Sequence, residues 1–345
     1  MSLRIGYKAS AEQFGPRELL DFAVYAEEAG FDSVFVSDHY QPWRHNDGHS
    51  PFALSWLAAL GERTSRITMG TSVLTPTFRL HPSVVAHAFA TLGCLYPGRV
   101  VLGVGTGESL NEVASTGIAW PDSKERFARL KEAVEVMRRL WSEDFVTFEG
   151  TFYRTKNATL YDRPAELVPI YIAATGESAA RLAGRTADGF ICTSGKPREL
   201  YVDTLLPAVA DGATKAARDG SRIEKMIEMK VSFHPVREQA LQDCRPWAAL
   251  ALSAEEKVGV EDPREMERRA NALPIEKAAS RFIVSHEPDE HVAKIARYVE
   301  MGFTHLVFHF PGPDQRRAIA LYRDEIIPRL RRLAIPAEAA STAAG

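Results

Sequence analysis

The feature that most restricts this chain is an alternation: short runs rich in β-branched and aromatic residues recur between stretches whose apolar residues keep helical spacing. Runs at 3–7, 33–37, 67–72, 100–104, 169–173, 189–192, 227–233 and 305–310 give eight strand candidates. Strands separated by helices pair in parallel, because each crossover returns the chain to the same edge. Eight of them suggest closure, which removes both sheet edges, and 345 residues suffice for one such barrel with insertions. The expected fold is therefore α/β, a single (β/α)8 TIM barrel over 1–345.

The helices between the runs are legible. From Pro16 to Gly30, Leu19, Ala23 and Ala26 recur on one face, with Pro at the start and Gly after the end. From Ser123, read as the N-cap, Phe127, Leu130, Val134, Met137 and Trp141 form one apolar stripe. Segments 39–50, 145–168 and 235–284 exceed a minimal alternation and read as insertions. Loops that follow strands lie on the carboxyl-end face where barrels bind ligands, so the first and third are expected to carry chemistry. The second, with Phe148, Gly150, Phe152 and Tyr153 around a turn, reads as a covering hairpin, and 334–345 as a disordered tail.

Lys and Arg total 42 against 45 Asp and Glu, a net charge of −3, too balanced to draw the whole molecule onto nucleic acid or anionic lipid. Cys94, Cys192 and Cys244 are an odd number at wide spacings and read as reduced, mostly buried thiols. The start, MSLRIGYKAS, lacks an apolar signal core and no stretch is long enough to span a membrane, so cytoplasmic residence is expected.

Several strand ends are dense in polar groups. The second run leads into Asp38 and His39, then Gln41, Pro42, Trp43 and Arg44. A histidine there can exchange protons near neutrality and the indole offers a flat wall; an Asp-His pair that merely caps a loop is the competing reading. In VLGVGTGESLNEV, Gly103, Gly105 and Gly107 allow close backbone approach, but Glu108 occupies the place of the third Rossmann glycine and would repel a pyrophosphate. Nicotinamide binding is excluded there. Glu108 becomes a candidate acid or base with Asn111 beside it, against the alternative of packing glycines and a solvated glutamate. CTSGK places Thr193, Ser194, Gly195 and Lys196 together, donors suited to phosphate without the Walker spacing. Lys257 and Arg281 are lone cations. No metal is expected: His45 and His49 flank a turn, and His305 and His309, on one strand face, should point into the barrel in satisfied structural roles.

Taken together, GYKASAEQF at 6–14, SDHYQPWRH at 37–45, GTSVLTPTFR at 70–79, LGVGTGESLNE at 102–112, DGFICTSGK at 188–196 and HLVFH at 305–309 resemble the F420-dependent glucose-6-phosphate dehydrogenase family, a branch of the bacterial-luciferase-like barrels. The likeness runs over roughly residues 3–333. It implies that Asp38, Ser72, Val73, Thr75, Thr106, Gly107 and Asn111 line the ring of coenzyme F420, an 8-hydroxy-5-deazaflavin, with a non-proline cis peptide at Ser72-Val73. Thr175, Gly176, Ser178 and Ala179 would meet its phosphate-bearing tail. His39 and Glu108 match the catalytic positions, Trp43 the aromatic wall, and Thr193, Lys196, Lys257 and Arg281 the sugar-phosphate pocket. A homodimer is also implied. Glu177 departs from the family's expected glycine-proline pattern and puts an acid near an anionic tail.

The implied activity is oxidation of glucose 6-phosphate, or another hexose 6-phosphate, to 6-phosphogluconolactone, with hydride transfer from C1 to C5 of the coenzyme. A phosphomonoester carries about −1.5 to −2 charges at neutral pH, which two lysines and an arginine can match where one lysine cannot. Which of His39 and Glu108 serves as base stays open at this level. The alternatives are another flavin- or F420-dependent luciferase-like oxidoreductase or monooxygenase, which has no use for three convergent cations, and a non-catalytic F420 or sugar-phosphate binding protein, which has no use for Glu108 with His39.

Overall fold

In the computed structural model, which describes residues 3–333, each of the eight expected runs is a strand. In chain order they are β1 (Arg4–Ala9), β2 (Ser33–Val36), β3 (Thr68–Thr71) and β4 (Val100–Val104), then, after the antiparallel hairpin β5 (Val146–Glu149) and β6 (Arg154–Ala158), β7 (Ile170–Ala173), β8 (Gly189–Thr193), β9 (Glu224–Phe233) and, past a short β10 (Ile283–Ser285), β11 (His305–His309). The order β1-β2-β3-β4-β7-β8-β9-β11 closes because β11 pairs with β1 and β9 with both β8 and β11, every pairing parallel. The chain thus forms a closed eight-stranded barrel. The one strand the sequence reading missed, β10, lies at the end of the third insertion and pairs with the last three residues of β9.

Alternation along the strands separates two cores. Outward residues such as Ile5, Tyr7, Ile227, Met229, Leu306 and Phe308 join the layer between barrel and helices. Inward residues Phe35, Val101, Tyr171, Ile191, Met226 and Val307 fill the barrel. One step further toward the carboxyl end, the inward positions turn polar: Lys8, Glu228, Lys230 and His309 are all buried there. The floor of the site is therefore charged and rests on an apolar barrel core.

The helix Pro16–Glu28 takes proline in its first turn and ends ahead of Gly30, whose φ of 87° suits glycine. The cap of helix Ser123–Ser142 is Asp122, which accepts from the Glu125 N–H at 2.8 Å; the expected cap, Ser123, is instead the first helical residue. The expected tail at 334–345 lies outside the described residues. Insertion 39–50 is an irregular loop and 235–284 a set of short helices whose apolar sides form a small cluster around Leu252 and Met266, on which Trp43 packs. Cys192 and Cys244 are buried thiols and Cys94 is exposed. Among the described residues no helix is long and apolar enough to cross a membrane.

Candidate active site

The carboxyl ends of β2, β3 and β4 build the first half of the site. The Ser72-Val73 peptide is cis, as expected, and the carbonyl of Ser72 accepts a hydrogen bond from Lys8 Nζ. Behind it the glycines are demanded by protein rather than by ligand. A Cβ on Gly103 would stand 1.9 Å from the Thr71 carbonyl oxygen, and one on Gly105 2.8 Å from the Val73 side chain. Gly107, at φ 82°, would collide with Thr75. The packing explanation for these glycines is the correct one for Gly103, while Gly105 and Gly107 shape the bulge and the turn that present Val73, Thr75 and Thr106.

Asp38 is enclosed: one carboxylate oxygen accepts from the Ala53 N–H at 3.2 Å and the other from Arg79 at 2.6 Å. Asn111 is similarly committed. Its Oδ1 accepts from the backbone N–H of Tyr40 (2.9 Å) and Gln41 (3.0 Å), and its amide nitrogen lies 3.3 Å from His39 Nδ1. Asn111 thereby holds the start of the 39–50 loop against the helix Ser109–Thr116.

His39 meets a partner the sequence reading did not single out. Its Nε2 is 3.2 Å from a carboxylate oxygen of the buried Glu12, whose other oxygen accepts from Ser37 Oγ at 2.7 Å. The signal was available: Glu12 is an acid inside ASAEQF, immediately after a strand that ends on the ligand face. Trp43 stands beside His39, with ring centroids 6.0 Å apart.

The second half comes from β8 and the third insertion. The turn after Thr193 is fixed by Tyr201, whose hydroxyl donates to the Thr193 carbonyl at 2.8 Å and accepts from the Lys196 N–H at 3.1 Å. Arg281 packs on Gly195, where any Cβ would be 2.7 Å from the arginine's carbonyl oxygen, and donates to the Ser194 carbonyl at 3.2 Å. Lys257 is drawn over the Trp43 ring, its ammonium nitrogen 4.8 Å from the centroid. Burial lowers its pKa to about 8; Glu108 opposes that shift, while Arg281, Lys196 and Lys230 add to it. Lys196 is lowered too, by burial and by Arg281. Lys196 and Arg281 thus flank the turn after β8, and Lys257, over Trp43, lies within electrostatic reach of both and of Glu108. Glu108 is exposed and its side chain caps nothing.

Thr175, Gly176, Ser178 and Ala179 lie where β7 leads into the helix Glu177–Thr186. That helix starts without a side-chain cap, and a Cβ on Gly176 would meet nothing within 4 Å, which leaves room for an anion before its first turn. Glu177 points away, paired with Arg181, which in turn binds Asp211 at 2.7 Å. The acid that departs from the family pattern is thus neutralised along its own helix. An uncapped helix start with room before it, and a bulge and turn that present Thr75 and Thr106, fit a phosphate-bearing deazaflavin.

One expectation fails. His305 is satisfied on one side by Ser33 Oγ at 2.7 Å, but both ring nitrogens of buried His309 lack a hydrogen-bond partner among the described residues, with Glu228 at 3.8 Å from Nδ1. Among the described residues no group of three or more His, Cys, Asp or Glu side chains is placed to hold a metal ion.

Comparison with known proteins agrees with this geometry. Residues 2–305 match the model of the luciferase-like monooxygenase family. The chain is 65% identical over 331 residues to an F420-dependent glucose-6-phosphate dehydrogenase of Nakamurella multipartita, covering 96% of this chain and 97% of that protein. It is 60% identical over 333 residues to the protein of that name from Mycobacterium tuberculosis, covering 96% and 99%. Among solved structures it superposes, with a TM-score of 0.90 and 34% identity, on an F420-dependent secondary alcohol dehydrogenase in complex with an F420-acetone adduct, covering 96% of this chain and all of that one. The chain belongs to the luciferase-like monooxygenase family and, within it, groups with the F420-dependent glucose-6-phosphate dehydrogenases.

Proposed function

We propose that this protein oxidises glucose 6-phosphate, or a closely related hexose 6-phosphate, to 6-phosphogluconolactone while reducing coenzyme F420. The observation that carries the reading is the placement of Arg281 on the Ser194 carbonyl beside Lys196 and of Lys257 over Trp43, within electrostatic reach of one another and of Glu108. A luciferase-like monooxygenase needs no such trio, and a passive binding protein needs no free carboxylate beside it. The names of the similar proteins point the same way.

When bound, the deazaflavin supplies a two-electron acceptor that takes hydride at C5. Asp38, Ser72, Val73, Thr75, Thr106, Gly107 and Asn111 would hold its ring, and Thr175, Gly176, Ser178 and Ala179 its phosphate. The chain's own residues do the remaining work. Lys196, Lys257, Arg281 and Thr193 hold the sugar's phosphate, and Trp43 lies against the sugar. As the C1–H bond breaks, the C1 hydroxyl must lose its proton so that the lactone carbonyl forms; Glu108, with an uncommitted carboxylate, takes that proton. His39, held by Glu12 at Nε2, serves as proton donor or transition-state stabiliser on the coenzyme side.

We further infer a cytoplasmic homodimer. An outer face of helix Pro82–Leu95 exposes Val84 and Leu95 beside the polar His87 and Thr91, a mixed surface suited to a second copy. Sedimentation at micromolar concentration tests it, a monomer mass counting against it. For the activity, loss of oxidised F420 absorbance on adding glucose 6-phosphate, repeated with fructose and mannose 6-phosphates, tests coenzyme, substrate and reaction at once. Turnover that survives Lys196→Glu would remove the phosphate pocket from the account.

A further inference from the structure

Neither Trp43 nor Lys257 stands on a barrel strand. Trp43 belongs to the 39–50 loop and Lys257 to the third insertion, on the one-turn helix Ala254–Lys257, so barrel closure alone does not fix their separation. Among the described residues, every hydrogen bond and ion pair between that loop and segment 235–284 ends on one side chain, Glu267 of the helix Pro263–Asn271. Its Oε2 accepts from the backbone N–H of His45 at 3.1 Å, from that of Asn46 at 3.0 Å and from the Asn46 side-chain amide at 3.1 Å, and Arg44 lies 3.8 Å from Oε1. Glu267 is buried, and a buried carboxylate is costly unless such donors meet it.

The same helix holds Lys257. Arg269 donates to the carbonyl of Glu256, the residue before Lys257, at 2.6 Å. The start of that turn is closed by a reciprocal pair: Ser253 Oγ accepts from the Glu256 N–H while the Glu256 carboxylate accepts from the Ser253 N–H. Between Glu267 and Arg269 on the helix surface run Met266 and Ala270, which belong to the apolar cluster on which Trp43 packs. One helix therefore grips the indole's loop with a carboxylate, supports the indole through an apolar cluster, and grips the lysine's turn with a guanidinium.

We propose that Glu267 is a positioning residue for substrate binding: by tying the 39–50 loop to the third insertion it sets Trp43 and Lys257 at the spacing that receives a sugar phosphate. The inference rests on the assignment of those two side chains to the sugar-phosphate pocket. A residue that acts through a loop contributes preorganisation. With the tie cut, the substrate must itself order both groups, so affinity falls while the hydride step, governed by Glu108 and His39, is spared.

The test is calorimetric titration of the purified protein with glucose 6-phosphate, alongside kcat and KM. Glu267→Ala should weaken binding and raise KM by about tenfold, with kcat within about twofold of wild type, as when the ordering of a site is transferred to its ligand. Glu267→Gln, which keeps an acceptor oxygen for the His45 and Asn46 N–H groups, should recover most of the loss. In a Lys257→Met background the further rise caused by Glu267→Ala should shrink to about threefold or less, because residues that act through one another are not additive. If Glu267→Ala is not recovered folded, Asn46→Ala, a change at an exposed loop residue that removes one of the three bonds, should raise KM about two- to threefold. Unchanged affinity in folded Glu267→Ala, or full additivity with Lys257→Met, overturns the role of Glu267 and leaves the substrate assignment standing. Wild-type protein that neither binds nor oxidises glucose 6-phosphate overturns that assignment, and the inference with it.

Discussion

Lys257 holds its ammonium nitrogen 4.8 Å from the centre of the Trp43 indole, so the cation expected to meet the phosphate and the ring expected to meet the sugar are in contact before either ligand arrives. A cation over an aromatic face gains roughly 0.5–2 kcal/mol, and a charge-assisted bond to a dianion gains more where water is excluded. Lys257 should therefore leave the indole when the phosphate binds. Lys257→Met is expected to raise KM for glucose 6-phosphate by about 10- to 100-fold, in line with a lost charged contact of about 1.5–3 kcal/mol, with a smaller change in kcat. Trp43→Leu should raise KM less. A Lys257→Met variant with unchanged KM would exclude it from the phosphate pocket.

The pH dependence follows from the same lysine. Burial lowers Lys257 to about 8, so it is charged below that pH and neutral above it. The substrate's phosphate gains its second negative charge above about pH 6. Affinity for the sugar phosphate should be greatest between these limits and fall as pH rises through 8. In Lys257→Arg, whose guanidinium stays protonated, the alkaline decline should disappear. KM profiles from pH 6 to 10 for the two proteins decide the matter.

Glu108 is exposed and caps nothing, while both nitrogens of His39 are near partners, and this asymmetry favours the carboxylate as base. Glu108→Gln should slow the single-turnover hydride step by about 10²- to 10⁴-fold, the usual worth of a positioned general base, with coenzyme affinity within a few-fold of wild type. An unimpaired hydride step would remove Glu108 from the mechanism.

Much of this was legible in the sequence because its signals are local. The eight barrel strands announce themselves through composition and spacing, and Glu108, His39 and Lys196 sit where polar residues crowd strand ends. What stayed hidden is pairing. Asp38 also accepts from the Ala53 N–H and from Arg79, and the Asn111 carbonyl oxygen also holds the loop. Both partnerships cross tens of residues, a distance no periodicity spans. Lys8, Glu228 and Lys230 were readable in principle: charges inside otherwise apolar strands must face a partner or a site. Only barrel closure reveals that β1 and β9 bring them together across β11.

Glu12 is the residue whose role depends most on geometry. Buried beside His39 Nε2 and held by Ser37, it fixes which way the imidazole points. Glu12→Gln should cut kcat about tenfold and leave KM for the sugar phosphate nearly unchanged. Glu12→Asp should restore part of the lost kcat. A fall in kcat matched by an equal rise in KM, with no rescue by Glu12→Asp, would mark Glu12 as structural only.

The backbone crossing between β3 and β4 gives a prediction that does not depend on any ligand. A Cβ on Gly103 would lie 1.9 Å from the carbonyl oxygen of Thr71 and 3.0 Å from its carbon, both backbone atoms in a paired strand that no rotamer change can move. Thr71 also bonds Gly103 twice through its hydroxyl, donating to the carbonyl at 2.7 Å and accepting from the N–H at 3.1 Å. Adding one methyl must therefore part the strands exactly where the coenzyme bulge begins at Ser72. Overpacking of a rigid core costs about 1–3 kcal/mol, occasionally more, and with no flexible neighbour to yield, Gly103→Ala belongs at the upper end. Gly220→Ala is the control, because its Cβ would meet only Ala213 at an ordinary 3.5 Å. Thermal unfolding should show Tm lowered by several degrees for Gly103→Ala, at roughly 2 °C or more per kcal/mol in a chain of this size, and within a degree of wild type for Gly220→Ala. Equal Tm values for the two would mean that β3 and β4 are not held as closely as these distances require.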